Sequence, residues 1–109
     1  MIGGTEPITV TIAHRLGRDE AKSRIDRALG SIRAEIAPYV KSLDYEWEGY
    51  SLDFRVALLM QRIAGRIEVE DAFVRIEFTL PRLLHLVAKN IAGRIESRGI
   101  TLLEGPKRT

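Results

Sequence analysis

The length and composition of the chain favour one globular domain and exclude several kinds of site. With 109 residues, 45% of them hydrophobic and 29% charged, the chain is long enough to bury one core. It contains no cysteine, which excludes disulfides, thiolate zinc sites and thiol nucleophiles. Lys and Arg number 17 against 15 Asp and Glu, and the two signs alternate, so we expect no nucleic-acid partner.

The distribution of apolar residues predicts a cytoplasmic protein with no membrane span. No apolar run approaches the ~18–20 residues that a spanning helix requires, and the first residues lack the features of a signal peptide. We expect a flexible N-terminus over residues 1–7, a single α+β domain over residues 8–103 and a flexible C-terminal tail over residues 104–109.

The domain begins with a predicted strand and a predicted helix. Ile8, Val10 and Ile12 recur with a period of two, which is typical of a half-buried strand. From Arg18 to Ala37 the apolar residues recur at helical spacing, and Pro38 ends the pattern. The apolar stripe of this helix consists of Ala21, Ile25, Ala28, Leu29, Ile32 and Ile36.

Four alternating segments then predict four antiparallel strands joined by short turns. Their apolar series begin at Leu43, Leu52, Ile63 and Val74. The other side is charged, and its mixed signs suggest cross-strand pairs on a solvated surface. Its charged residues are Asp53, Arg55, Arg66, Glu68, Arg75 and Glu77.

Pro81 fits the first position of a second helix, which we predict to run to about Arg98 and to end at Gly99. A short apolar extension from Ile100 to Leu103 follows. The order is β-α-β-β-β-β-α. We therefore predict an α+β fold in which two helices pack on one face of an antiparallel sheet.

Candidate catalytic and metal-binding residues are sparse. His14 and His85 are far apart and have no metal-pair spacing, and the serines lack a nucleophile motif. Glu46 and Glu48, which flank Trp47, come nearest to a carboxylate pair. We therefore predict that the protein is not an enzyme, with no catalytic residue, no metal site and no cofactor.

One apolar segment interrupts the alternating pattern. Leu58, Leu59 and Met60 lie where a polar hairpin turn is expected, and the alternation requires Leu59 or Met60 to face away from the core unless something covers it. An exposed apolar tip is typical of an interaction site. The alternatives are that a bulge or the segment from Ile100 to Leu103 covers the tip, or that a homodimer buries it.

The segment His14-Arg15-Leu16-Gly17-Arg18-Asp19-Glu20-Ala21 resembles the H-x-L-G-x-x-E-A opening of the polyhydroxyalkanoic acid system (granule-region) proteins of bacteria. The resemblance continues at Trp47-Glu48-Gly49, at Gly65-Arg66-Ile67-Glu68-Val69 and through the last helix. It implies a role at polyhydroxyalkanoate storage granules, with the granule or a granule-associated protein as partner, and it brings no catalytic residues.

These observations leave three hypotheses for the function. The first is a non-enzymatic binding or structural protein of the polyhydroxyalkanoate system, in the cytoplasm and at the granule surface. The second is a carrier of a small apolar ligand, loosely similar to START-like folds. The third is a dimeric interaction module in which the apolar tip contacts a second copy.

Overall fold

The alternating segments form one antiparallel sheet, and two helical segments pack on one side of it. The computed structural model describes residues 7–104. Its elements are the strands β1 (Ile8–Ala13), β2 (Ser42–Glu48), β3 (Ser51–Ala57), β4 (Arg62–Val69) and β5 (Phe73–Thr79), and the helices α1 (Arg18–Ile36) and α2 (Ala88–Glu104), the second preceded by a 3₁₀ segment (Arg82–Val87). The predicted α+β class and the order β-α-β-β-β-β-α are confirmed.

The strand order across the sheet is β1-β5-β4-β3-β2. The strands β2 to β5 form consecutive hairpins, whereas β1 crosses to the far edge and pairs with β5. In that pairing Val10 lies opposite Ile76, and Ile12 lies opposite Val74. The two edges of the sheet are therefore β1 and β2.

The core lies between the sheet and the helices. The register aligns the apolar residues of neighbouring strands, for example Leu52 of β3 with Ile67 of β4 and Ile67 with Ile76 of β5. Helix α2 packs mainly on β1, and α1 packs beside it. The buried hydrophobic residues are Val10, Ile12, Ala21, Ile25, Leu43, Leu52, Ile67, Val69, Val74, Phe78, Leu80 and Leu103.

The other face of the sheet carries a cross-strand ion pair, as the mixed signs of its sequence predict. Arg66 Nε of β4 lies 2.9 Å from Asp53 Oδ1 of β3, and Arg66 Nη1 lies 3.4 Å from Glu68 Oε2 on its own strand. The Arg66 guanidinium, which donates to Asp53, lowers the pKa of that carboxyl. These side chains are partly exposed to solvent, which screens the charges, so the pairs contribute little to stability.

Polar side chains of helix α1 contact the aromatic residues and the backbone of the edge strand β2. Trp47 Nε1 donates to Asp26 Oδ1 at 2.9 Å, and the Lys22 ammonium lies 4.8 Å from the Trp47 ring centroid. Arg33 donates to the Leu43 carbonyl oxygen at 3.0 Å and lies 4.9 Å from the Tyr45 ring centroid. No local pattern in the sequence predicts these contacts.

The C-terminal helix differs from the prediction in three ways. Residues Arg82–Val87 form a 3₁₀ segment instead of the first turns of an α-helix. Helix α2 continues through Gly99, where we predicted its end, and stops at Glu104. Gly99 faces β1 so closely that a Cβ atom would overlap the Ile12 side chain. The glycine therefore serves helix–strand contact, and the uninterrupted helix buries Leu103.

The described elements extend from Ile8, the first residue of β1, to Glu104. Glu104, which we assigned to the flexible tail, is the last residue of α2 because the helix continues past Gly99. The rest of both predicted flexible segments, residues 1–6 and 105–109, lies outside the described residues.

Candidate functional site

The motif around His14 connects two loops at one end of the molecule. His14 is only 6% exposed, and its Nε2 lies 3.0 Å from the Glu70 carbonyl oxygen. Its Nδ1 accepts a hydrogen bond from the Leu16 amide at 3.1 Å. Because an amide can only donate, Nδ1 carries no proton, and Nε2–H donates to Glu70. A neutral imidazole with both nitrogens engaged is a structural group here.

The rest of the H-x-L-G-x-x-E-A motif also has structural roles. Gly17 adopts a φ of 80°, which favours glycine, and Ala21 is fully buried. Glu20 Oε2 lies 3.0 Å from Arg24 Nε, and Arg24 Nη1 donates to the Leu102 carbonyl oxygen at 3.1 Å. The motif thus fixes the start of α1 to the end of α2.

The other two segments of the resemblance form turns and close contacts. Gly49 adopts a φ of 65°, and its carbonyl oxygen accepts a hydrogen bond from Lys22 Nζ at 2.7 Å. Gly65 lies beneath the Phe54 ring, and a Cβ atom there would overlap both that ring and the Glu77 carbonyl oxygen. These glycines allow a tight turn and a close packing that other residues would disturb.

The hairpin between β3 and β4 displays the predicted apolar residues. Residues 58–61 connect the two strands, and the Leu58 amide donates to the Gln61 carbonyl oxygen at 2.8 Å. The side chains of Leu59 and Met60 are 81% and 84% exposed, whereas Leu58 is half-buried. Two of the three predicted contact residues are therefore accessible, and whether they bind a partner stays a prediction.

Two further segments bring exposed apolar side chains to the same end of the sheet. The loop that contains Tyr39, which is 81% exposed, enters β2 where the Lys41 amide donates to the Ala57 carbonyl oxygen at 2.7 Å. Strand β5 also ends there, since Thr79 pairs with Ala64, and the 3₁₀ segment that follows displays Leu86, which is 95% exposed.

We call this surface the apolar end and define it as residues 37–43, 57–63 and 84–90. Five of the six large hydrophobic side chains that are exposed in the described residues lie in it. They are Tyr39, Leu59, Met60, Leu86 and Val87. Only the middle segment, residues 57–63, stands out in the sequence. Residues 37–43 and 84–90 come to the same end only because the strands pair.

Two depressions on the protein surface are open to solvent, and neither forms a closed chamber for a ligand. One is lined by β1 and α2 residues, among them Thr9, Lys89 and Glu96, and it is open to solvent. The other lies beside the hairpin, between Lys41 and Met60, and is equally open. Neither is enclosed between the sheet and the helices, so neither supports the carrier hypothesis.

The described residues show neither the side-chain cluster of a metal site nor a helix that could cross a membrane. Within residues 7–104 no cluster of three or more His, Asp or Glu side chains has the arrangement of a metal site. Neither helix of that part of the chain is long and apolar enough to cross a membrane.

Comparison with known proteins identifies a family. Residues 8–102 match the family model described as "Putative polyhydroxyalkanoic acid system protein (PHA_gran_rgn)". No curated protein and no solved structure matches the chain significantly. The matched range extends from the first residue of β1 almost to the end of α2 and contains the opening motif, the Trp47-Glu48-Gly49 segment and the segment that begins at Gly65. The chain therefore belongs to the polyhydroxyalkanoic acid system protein family (PHA_gran_rgn).

Proposed function

We propose that this protein is a non-enzymatic binding protein of the polyhydroxyalkanoate system, and that it attaches to the storage-granule surface in the cytoplasm through its apolar end. The observation that carries the proposal is the exposure of Leu59 and Met60 at a hairpin tip, in a chain whose family is linked to that polymer.

The physical basis is the hydrophobic effect. A polyester surface is apolar apart from its ester dipoles, and side chains such as Leu59 and Met60 gain free energy when such a surface removes them from water. Complete burial of each would contribute roughly 1.5–3 kcal/mol. Tyr39 and Leu86, on the same end, would add further apolar area.

The non-enzymatic part of the proposal is supported by the roles of the motif residues. His14 is buried and engaged through both ring nitrogens, and Glu20 pairs with Arg24, which in turn donates to the Leu102 carbonyl oxygen of α2. A general base must reach a proton of the substrate, and the buried ring of His14 has no access to a substrate in this arrangement.

The experiment is co-sedimentation of the purified protein with polyhydroxyalkanoate granules, both native and stripped of protein. We expect the wild type to sediment with both preparations. The variants Leu59→Asp and Met60→Asp should lose at least tenfold in affinity, because a carboxylate cannot enter an apolar surface without a large desolvation cost.

The matched control is Ala72→Asp, which adds the same charge at an exposed turn at the opposite end of the sheet. This variant should bind like the wild type. If the wild-type protein binds neither granule preparation, the proposal is contradicted. Unchanged binding of Leu59→Asp and Met60→Asp would exclude the hairpin tip as the contact.

A further inference from the structure

The apolar end is cationic as well as apolar. Residues 37–43, 57–63 and 84–90 contain no Asp or Glu, although the chain has 15 of them. They do contain Lys41, Arg62 and Lys89. Such a surface attracts a partner that presents both negative charge and apolar groups.

Two of these cations flank the hairpin tip directly. The backbone of Lys41 bonds to Ala57, and Arg62 lies opposite Ala57 in the β3–β4 register. Both residues are exposed, and they line the open depression beside Leu59 and Met60. Positive charge therefore stands on both sides of the exposed apolar side chains.

The nearest carboxylate along the chain does not neutralise this arrangement. Asp44 lies beyond the end of the segment 37–43, and the β2–β3 register places it opposite Arg55 on the charged face. The next row of that face holds Asp53, which pairs with Arg66. Asp44 and Asp53 thus have cationic neighbours of their own, while Glu46 lies opposite Asp53.

From this combination we infer that the apolar end binds an anionic phospholipid surface. Leu59 and Met60 enter the boundary between headgroups and acyl chains, while Lys41 and Arg62 contact phosphate groups. Apolar side chains with flanking Lys and Arg are the features that hold proteins at such interfaces. The inference deepens the proposed function, since it assigns a surface chemistry to the same end.

A lipid surface fits this geometry better than a folded acidic protein. The apolar side chains come from three separate loops or loop-adjacent segments and project from one end of the sheet. A fluid interface can adapt to such separate protrusions, whereas a folded partner would need a matching set of pockets.

The test is sedimentation with two kinds of vesicle, phosphatidylcholine alone and phosphatidylcholine mixed with phosphatidylglycerol. We expect binding to the mixed vesicles only, and binding should weaken in about 0.5 M salt, where charge interactions are screened within a few Å. The variant Lys41→Gln/Arg62→Gln should bind about 25-fold more weakly, which corresponds to ~1 kcal/mol for each cation at an anionic surface.

The matched control, Arg15→Gln/Arg27→Gln, removes two exposed cations outside the apolar end and should bind within about twofold of wild type. Leu59→Asp should abolish binding while circular dichroism shows an unchanged fold. The inference is overturned if wild-type protein does not bind the mixed vesicles, binds neutral vesicles equally well, or loses as much affinity in the control as in Lys41→Gln/Arg62→Gln.

This result is separable from that of the granule experiment. Binding to the mixed vesicles without binding to either granule preparation would uphold the lipid inference and contradict the proposed function. Binding to stripped granules without binding to the mixed vesicles would uphold the proposed function and contradict the lipid inference.

Discussion

Gly99 of α2 lies against Ile12 of β1 at a distance that leaves no room for a methyl group on the glycine. Alanine inside a helix is normally favoured over glycine by ~1 kcal/mol. We expect Gly99→Ala to lower the free energy of unfolding by about 1–3 kcal/mol instead, because the added Cβ overpacks a buried contact. Urea-induced unfolding followed by circular dichroism measures the change.

Helix α2 offers a matched control for this prediction. A Cβ atom at Gly93 would meet nothing within 4 Å, so Gly93→Ala should stabilise by roughly 0.5–1 kcal/mol. Ile12→Val removes the overlapping methyl group. In that background, Gly99→Ala should lower the free energy of unfolding by much less. Equal effects of Gly99→Ala in both backgrounds would show that the contact with Ile12 is not the cause.

The buried His14 supports a second prediction, for the connection between the β1–α1 and β4–β5 loops. His14→Phe keeps an aromatic ring but leaves the Leu16 amide and the Glu70 carbonyl oxygen without their partner. We expect a loss of about 1–3 kcal/mol in the free energy of unfolding.

The exposed His85 provides the comparison for that measurement. His85→Phe should change the free energy of unfolding by less than about 0.5 kcal/mol, which is typical of surface substitutions. A similar loss for both histidine variants would contradict the structural role of His14.

The Asp53–Arg66 pair makes the stability of the fold depend on pH in the acidic range. Arg66 holds the pKa of Asp53 below its usual range, so the folded protein binds fewer protons here than the unfolded chain does. The pair therefore stabilises the fold above the unfolded pKa of about 3.9, and this contribution is lost as pH falls through the lower folded pKa.

We expect Asp53→Asn and Arg66→Gln each to reduce the slope of stability against pH in this acidic range. Chemical denaturation at a series of pH values measures that slope. The prediction fails if both variants retain the wild-type dependence.

The oligomeric state separates surface binding from self-association. If the apolar end binds a surface other than a second copy of the chain, the protein should be a monomer of 12.3 kDa by light scattering at micromolar concentration. A dimer that Leu59→Asp converts to a monomer would favour the dimeric module instead.

The local patterns of the sequence were sufficient for the elements and their order. The period of two in segments such as Leu52–Val56 and the helical spacing from Ala21 to Ile36 arise within single elements, so a sequence alone displays them. The same locality explains why Leu58, Leu59 and Met60 could be selected, since they interrupt a pattern within one hairpin.

Gly99 shows where local patterns mislead. A glycine near the end of an apolar repeat usually marks a helix terminus. Here it lies inside the helix, and only the position of Ile12 on a distant strand reveals the reason.

The α+β class, the element order, the apolar side of each strand and the unusual hairpin tip could all be predicted from local patterns. Three features emerge only in the folded protein: β1 pairs with β5, α2 continues past Gly99, and Tyr39 and Leu86 lie at the same end as Leu59 and Met60. These features depend on hydrogen bonds and packing between segments far apart in the chain, which no local periodicity encodes.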